Sequence, residues 1–401
     1  MSVFQKANIL LPREGTDLRA FACVACDQFT GDPAYWQKAE EIARNKPSAL
    51  HLIFPEIYLG QDDAVRTEQI NRTMQAYLAD GVLREETNCL IYVERTLASG
   101  AIRRGLVGVC DLEAYDFSPK TRSLIRPTEG TIESRLPARV AIRRHAPLEL
   151  PHIMLLTNDP RDTVFAPLAH ARKTPLYDTD LMLSGGHVRG WRLSESDADE
   201  ALDRLEAAVC GTKENQILLA VGDGNHSLAT AKRCWEEIKR TLSPAERENH
   251  PARFALCEVV NLHDPSLAFE PIHRVVYRAD TDALLAFLRA HEAADGQNIT
   301  VLRGKTEQTI CLKQTHELPV GTLQALLDAF LEQSGEIDYV HEEDTVRAHA
   351  QRENTVGFLI PGMNKSDLFP AVLAHGALPR KTFSMGLGID KRYYLECRKI
   401  R

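Results

Sequence analysis

Short apolar runs alternate along the chain with amphipathic stretches, and the two periods predict different elements. Apolar positions recurring at three- and four-residue spacing predict helices; brief apolar runs bounded by turn residues predict buried strands. Helices are expected over residues 35–44, with Asp32 before Pro33 at the start, and over 62–80, where Val65, Ile70, Met74, Tyr77 and Leu78 recur before Gly81 ends the pattern. Strands over 89–96 and 104–110, joined through Ser99-Gly100, predict a hairpin, supported by their β-branched content. The middle of the chain predicts strands over 152–156, 188–193, 217–221 and 254–261 and helices over 197–209 and 228–239. The remainder predicts helices over 282–290 and 323–333 and strands over 308–312 and 356–360. The expected fold is a mixed α/β (α+β) chain in three regions, 1–145, 146–277 and 278–401, with no internal repeat or long linker between them.

The sharpest break in the pattern is Gln216-Ile-Leu-Leu-Ala-Val-Gly-Asp-Gly-Asn-His-Ser227, where an apolar run ends in glycine, acid, amide, imidazole and hydroxyl. Leu228, Ala231, Trp235 and Ile238 then recur at helical spacing, so the segment reads as strand, tight loop and helix. The free N–H groups and dipole of a helix start suit a phosphate or carboxylate, and Gly222 and Gly224 let a ligand approach the main chain. An ordinary glycine turn with an Asp or Asn cap is the competing reading. Neither a Walker loop nor the three-glycine dinucleotide fingerprint is present.

Composition narrows the classes. With 401 residues, 44% hydrophobic and 26% charged, the chain has an ordinary globular make-up, and a net charge of −8 argues against a general nucleic-acid binder. No run of about eighteen apolar residues offers a membrane span, and Met1-Ser-Val-Phe-Gln-Lys6 lacks the order of a secretion signal. Nine scattered cysteines fit a reducing compartment, so a cytoplasmic protein is expected. Cys23 and Cys26 form a C-x-x-C without a second pair at zinc spacing, which gives a metal or redox role little support.

The segment 122–145 is rich in arginine, whose planar fork of donors matches phosphate. Arg139, Arg143 and Arg144 are expected on a solvated helix face with Leu136, Val140 and Ile142 inward, leaving Arg126 and Arg135 as candidate ligands.

The loop and its surroundings resemble the signature of a large, uncharacterised bacterial and archaeal family, whose usual form is Asp-Gly-His-His-Arg before a helix. That family is similar to the ParB and sulfiredoxin-like superfamily, which includes the free L-serine kinases. Comparable segments are Asn45-Lys-Pro-Ser-Ala-Leu-His-Leu-Ile-Phe-Pro-Glu56, Thr128-Glu-Gly-Thr131 with Arg135-Leu136, Pro271-Ile-His-Arg-Val-Val276 and Leu378-Pro-Arg-Lys-Thr-Phe383. The resemblance implies a ParB/sulfiredoxin-like core whose strand, loop and helix hold the phosphates of ATP, ADP or CTP. Asp223 matches the family's acid, Asn225 its first histidine and His226 its second, while Ser227 replaces the arginine. Either the missing charge comes from Arg126, Arg135, Lys232 or Lys381, or nucleotide binding is altered or lost.

The expected chemistry is nucleotide-dependent phosphoryl transfer to a small polar metabolite, by a small-molecule kinase or a nucleotide hydrolase. Gly222, Gly224, Asn225 and Ser227 would cradle phosphate, His226 would donate to it, Asp223 would hold Mg²⁺ or orient the acceptor, and Glu129 would act as base. His273 is read as structural and Arg274 is left open. The alternative is a nucleotide-sensing or regulatory binding protein without transfer, motivated by the lost arginine; ParB-like DNA handling is the weakest reading. Nucleotide, acceptor and assembly state, a homo-oligomer included, are not specified by these residues.

Overall fold

The computed structural model describes residues 2–150, 152–332 and 334–401, and the chain forms two compact units, Met1–Leu267 with Gly386–Arg401, and Ala268–Met385. The boundary expected near residue 145 falls inside the first unit, whose main sheet takes strands from both sides of it. The region expected from residue 278 begins inside the second unit.

The main sheet has nine strands: β1 Phe4–Gln5, β2 Ile91–Thr96, β3 Ile102–Asp111, β4 Ile125–Pro127, β5 Met154–Thr157, β6 Tyr177–Asp180, β7 His187–Arg192, β8 Leu219–Asp223 and β9 Phe254–Asn261. Their order is β6-β7-β2-β3-β9-β5-β8-β4, with β1 on β3. The β9–β5 and β8–β4 pairs are parallel and the others antiparallel, so the architecture is mixed α/β. Expectation and structure agree on the hairpin: β2 and β3 pair from Ile91↔Val107 to Thr96↔Ile102. Strand β9 spans residues 254–261 and is buried over nearly its whole length, as a central strand covered on both faces should be.

Around the sheet lie α1 Pro33–Ala43, α2 Asp63–Ala79, α3 Leu136–Arg143, α4 Glu195–Ala207 and α5 Asn225–Ile238. Asp32 caps α1 by accepting from the Tyr35 amide at 3.1 Å, which satisfies one orphan N–H of its first turn. Helix α5 lays Leu228, Ala231 and Trp235 against the sheet, with Trp235 1% exposed.

Residues 386–401 return to the first unit. Tyr393 and Tyr394 pair with Val24 and Cys23, and Arg398 and Lys399 pair with Glu149 and Leu148. Within this return, Arg392 is buried and bonds Glu258 and Glu396, each at 2.8 Å, while the Tyr177 hydroxyl donates to Glu396.

The second unit has a five-stranded antiparallel sheet of β10 His273–Tyr277, β11 Glu292–Arg303, β12 Thr306–Leu312, β13 Glu336–Val340 and β14 Thr355–Leu359, in the order β12-β11-β14-β10-β13. Helices α6 Thr281–Arg289, α7 Pro319–Leu331 and α8 Glu343–Ala350 accompany it. The expected end of the helix over 323–333, at Gln333, lies outside the described residues. His273 is structural, as anticipated: it is 1% exposed and its Nδ1 accepts from the Ile360 amide at 3.0 Å.

Candidate functional site

The break after β8 is the strand, tight loop and helix that its sequence predicts. The β8–β5 ladder shifts register between Val221 and Asp223, so Gly222 stands at the irregularity. Gly224 then turns into the left-handed region at φ 79° and starts α5 without a side-chain cap. A Cβ at Gly224 would lie 3.0 Å from the Ile153 Cα, so a side chain there would crowd the backbone just before β5 as well as strain its own φ.

Strand topology unites two segments that are far apart in sequence. The parallel pairing of β4 and β8, with Val221 opposite Pro127, brings residues 128–132 beside the loop. There the Thr128 hydroxyl donates to the Val221 carbonyl at 2.6 Å, and the Ile132 amide donates to His226 Nε2 at 3.4 Å. Glu129 is half-buried within this segment. In neutral His226 the Ile132 bond leaves the proton on Nδ1.

Asp223 faces the other way. Its Oδ1 accepts from the Gly224 amide at 3.0 Å, and its Oδ2 lies 3.3 Å from Lys391 Nζ. Beyond Lys391 stands Asp27, whose Oδ2 is 3.3 Å from His152 Nε2; His152 Nδ1 is 2.6 Å from the Tyr394 hydroxyl. Burial alone would raise the Asp27 carboxyl, but the charge and hydrogen bond of His152, with Gln28 and Lys391 adding to them, hold it well below the usual carboxylate range. Burial would likewise strip His152 of its proton, and the Asp27 carboxylate outweighs that and keeps the imidazole charged well above its ordinary range.

The His152–Tyr394 end of this cluster borders a cavity of about 160 Å³. Ser227 and Thr230 line it from the first turns of α5, and His152, Tyr394 and Cys26 line it from the charged cluster. Arg139 and Arg143 line it from α3, and Phe54, Ile70 and Met74 give it an apolar wall. Arg139 pairs with Glu56 and Arg143 with Glu149, which orients each guanidinium while leaving further donors on its fork. The expectation of a solvated face for these two arginines is therefore corrected: at i and i+4 on one short helix they share a side, and that side meets the cavity. Arg144 is on the surface, paired with Glu237 at 3.0 Å.

The other arginine and lysine candidates have different surroundings. Arg126 is 1% exposed and spends its donors on the Ser123 and Gln216 carbonyls and on Asn215, tying β4 to the β8 approach. Arg135 is exposed at the start of α3, Lys232 donates to the Leu112 carbonyl and pairs with Glu236, and Lys381 belongs to the second unit. Arg274 is buried against the Ile272, Arg380 and Lys381 carbonyls.

Two acceptors in the loop stand enclosed without a hydrogen-bond partner, Asn225 Oδ1 and Asp223 Oδ2, the latter having only its ion pair with Lys391. Among the described residues no three His, Cys, Asp or Glu side chains converge to hold a metal ion. Asp27, His152, and Lys391 with Tyr394 lie in separate stretches of sequence and share no motif. The charged terminal segment that holds Lys391 and Arg392 carries no spacing that would single them out.

No helix among the described residues is long and apolar enough to cross a membrane. No curated protein matches the chain. Among solved structures it is similar to a conserved hypothetical protein from Pyrococcus furiosus, at 11% identity and a TM-score of 0.39 over 73% of this chain and 94% of that one. It is similar to a free serine kinase variant in complex with ADP, at 10% identity and a TM-score of 0.41 over 73% and 91%. It is also similar to SbnI with C-terminal truncation from Staphylococcus aureus, at 10% identity and a TM-score of 0.38 over 70% and 82%. The family model described as "Protein of unknown function (DUF1015)" matches residues 10–395, and the chain belongs to that family.

Proposed function

We propose that the protein binds a nucleotide with its phosphates at the start of α5 and transfers the terminal phosphoryl group to a hydroxyl of a small polar metabolite. One observation carries this reading: an uncapped helix start opens beside a cavity that two guanidiniums, Arg139 and Arg143, also line. Backbone N–H groups and Ser227 would receive the phosphates, and the two arginines would supply the charge that an arginine at 227 would otherwise give. The strand, loop and helix would form the ParB/sulfiredoxin-like core. ATP, ADP or CTP would fit the same cradle.

Glu129 would take the proton of the acceptor hydroxyl as its oxygen bonds to phosphorus and the bond to the leaving phosphate oxygen breaks. His226 Nδ1 would donate to a phosphoryl oxygen. Mg²⁺ suits oxygen donors, and Asp223 is the carboxylate that would hold it together with the nucleotide's own phosphates; Lys391 now neutralises that carboxylate.

The direct test is a thermal-shift screen of the full chain against ATP, ADP, CTP and inorganic phosphate, with and without Mg²⁺, followed by an acceptor screen. A ligand at about a hundred times its Kd should add roughly 2.7 kcal/mol to stability. That gain should disappear in His226→Ala, and Glu129→Gln should keep it while turnover falls by about 10²–10⁴. The absence of a shift with every ligand would discard the reading. The existing Asp223–Lys391 pair favours one second reading, a nucleotide sensor without transfer, whose signature is binding with no turnover for any acceptor.

A further inference from the structure

A second cavity, of about 420 Å³, lies between α1, α2 and the segment 49–58 that joins them, and phosphoryl transfer gives it no role. Sites for small organic ligands run from about 300 to 1,000 Å³. Leu50, Ile53 and Ile70 form a buried apolar wall, while Arg66 and His51, both half-buried, and Glu40 at the exposed rim bring charge and hydrogen-bonding groups. Arg66 is the one cation among the described residues that line it.

The guanidinium of Arg66 is held in place without spending its N–H groups. It lies 4.5 Å from the centre of the Tyr58 ring and 5.8 Å from that of Phe54, and among the described residues no carboxylate forms an ion pair with it. Tyr58 is itself fixed, since its hydroxyl donates to Glu40 Oε1 at 3.0 Å. A guanidinium stacked on a ring keeps its planar fork of donors, and that fork matches a carboxylate at both oxygens. His51 adds a further donor. Burial lowers its imidazole from the ordinary range, so the ring is neutral near pH 7. The Tyr77 hydroxyl oxygen accepts from the Ser48 amide at 2.9 Å, and its own proton goes to His51 Nδ1 at 3.1 Å, nearer than the Ser48 carbonyl at 3.5 Å. The imidazole proton is then on Nε2, which has no partner among the described residues.

We propose that this cavity is a binding site for a small monocarboxylate with an apolar body: the Arg66 fork takes the carboxylate, His51 Nε2–H adds a hydrogen bond to it, and Leu50, Ile53 and Ile70 cover the body. Charge sets the class. One guanidinium beside a neutral imidazole balances a single negative charge, and the Glu40 carboxylate, at the hydroxyl end of Tyr58, repels a second one. Ile53 and Ile70 also line the cavity beside α5, so the two cavities share a wall and an occupant of one presses on the side chains that bound the other.

The test titrates the full chain with hexanoate and with benzoate at neutral pH, followed by ligand-observed NMR. At least one acid should bind saturably, and Arg66→Gln should weaken it by about tenfold or more, because the charge-assisted hydrogen bonds are lost. Arg72→Gln, on the same helix but 68% exposed and paired with Glu68, should leave the affinity unchanged. Adipate, with a second carboxylate, and 1-hexanol, with none, should each compete about tenfold less well than the acid. Saturable binding of neither acid overturns the proposal, as does an unchanged affinity in Arg66→Gln or a competitor as effective as the acid. Should Arg66→Gln fail to fold, Arg66→Lys takes its place: it keeps the charge and loses the fork, so the affinity should still fall severalfold, and an unaltered affinity counts against the site. No nucleotide enters these readouts, so this proposal and the phosphoryl-transfer reading stand or fall separately.

Discussion

Two charged networks in the first unit use the same ingredients to different ends. Around Arg392, the side chains of Arg95, Arg103, Glu258 and Glu396 enclose about 20 Å³, room for about one water molecule. Around His152, Asp27 pairs with that imidazole and Lys391 with Asp223, and His152 borders about 160 Å³ together with Tyr394 and the start of a helix. In the first network the charges face one another across strands and the returning terminal segment, and their work is to hold those parts in register. In the second, one member of the pairs, His152, faces open space. The two networks thus differ in the room left beside them: the first leaves Glu258 Oε1 and the Nε atoms of Arg95 and Arg103 without hydrogen-bond partners but has space for no more than a water, whereas the second opens on a cavity.

The largest effect that would break this comparison lies in the closed network. Arg392→Ala leaves Glu258 and Glu396 buried without their partner, and denaturant unfolding should show a loss of about 3–5 kcal/mol. A loss under about 1 kcal/mol would mean that the network is not what fixes the terminal segment.

At the open site, Gly224→Ala should cost about 1–3 kcal/mol, since a side chain there must adopt φ 79° and approach the Ile153 backbone. An unchanged Tm would show that the loop has another conformation available.

A smaller effect concerns pH. The Asp27 carboxyl is depressed on folding, so its stabilisation is present above its ordinary value of 3.8 and fades as pH falls through the lower folded value. The His152 imidazole is raised, so its share is complete below 6.5 and fades as pH rises through the higher folded value. Stability measured against pH should therefore decline on the acid side, and Asp27→Asn should flatten that limb. An acid limb of unchanged slope in the variant would break the assigned pairing.

The smallest effect is the control. Arg144→Ala removes an exposed pair with Glu237 and should change stability by no more than about 0.5 kcal/mol, in contrast with its cavity-facing neighbour Arg143.

Periodicity carried most of the secondary structure, because an amphipathic helix or a buried strand writes its own spacing. Strand β9 and the β2–β3 hairpin are examples, and the helix expected over 62–80 is observed at Asp63–Ala79. Short or polar strands left weaker traces. Ile125–Pro127 is too brief for a period, and Glu292–Arg303 begins with exposed polar residues, so neither stands out from the sequence. At the site, Gly222, Asp223 and Gly224 were legible since glycine and acid after an apolar run have few other uses. The spacing of Arg139 and Arg143 shows that they share a side of their helix and not that this side meets the cavity.

By itself, the sequence determined the alternation of strands and helices behind the mixed α/β class and the strand-loop-helix at residues 219–238, both of which rest on patterns among near neighbours in the chain. Tertiary structure decided that residues 128–132 lie beside that loop, that Asp27, His152, Lys391 and Tyr394 gather on its other side, and that residues 386–401 return to the first unit. The reason is the range of the interactions: local patterns are set by residues a few positions apart, whereas strand pairing and buried charge join segments whose separation in sequence carries no period to read.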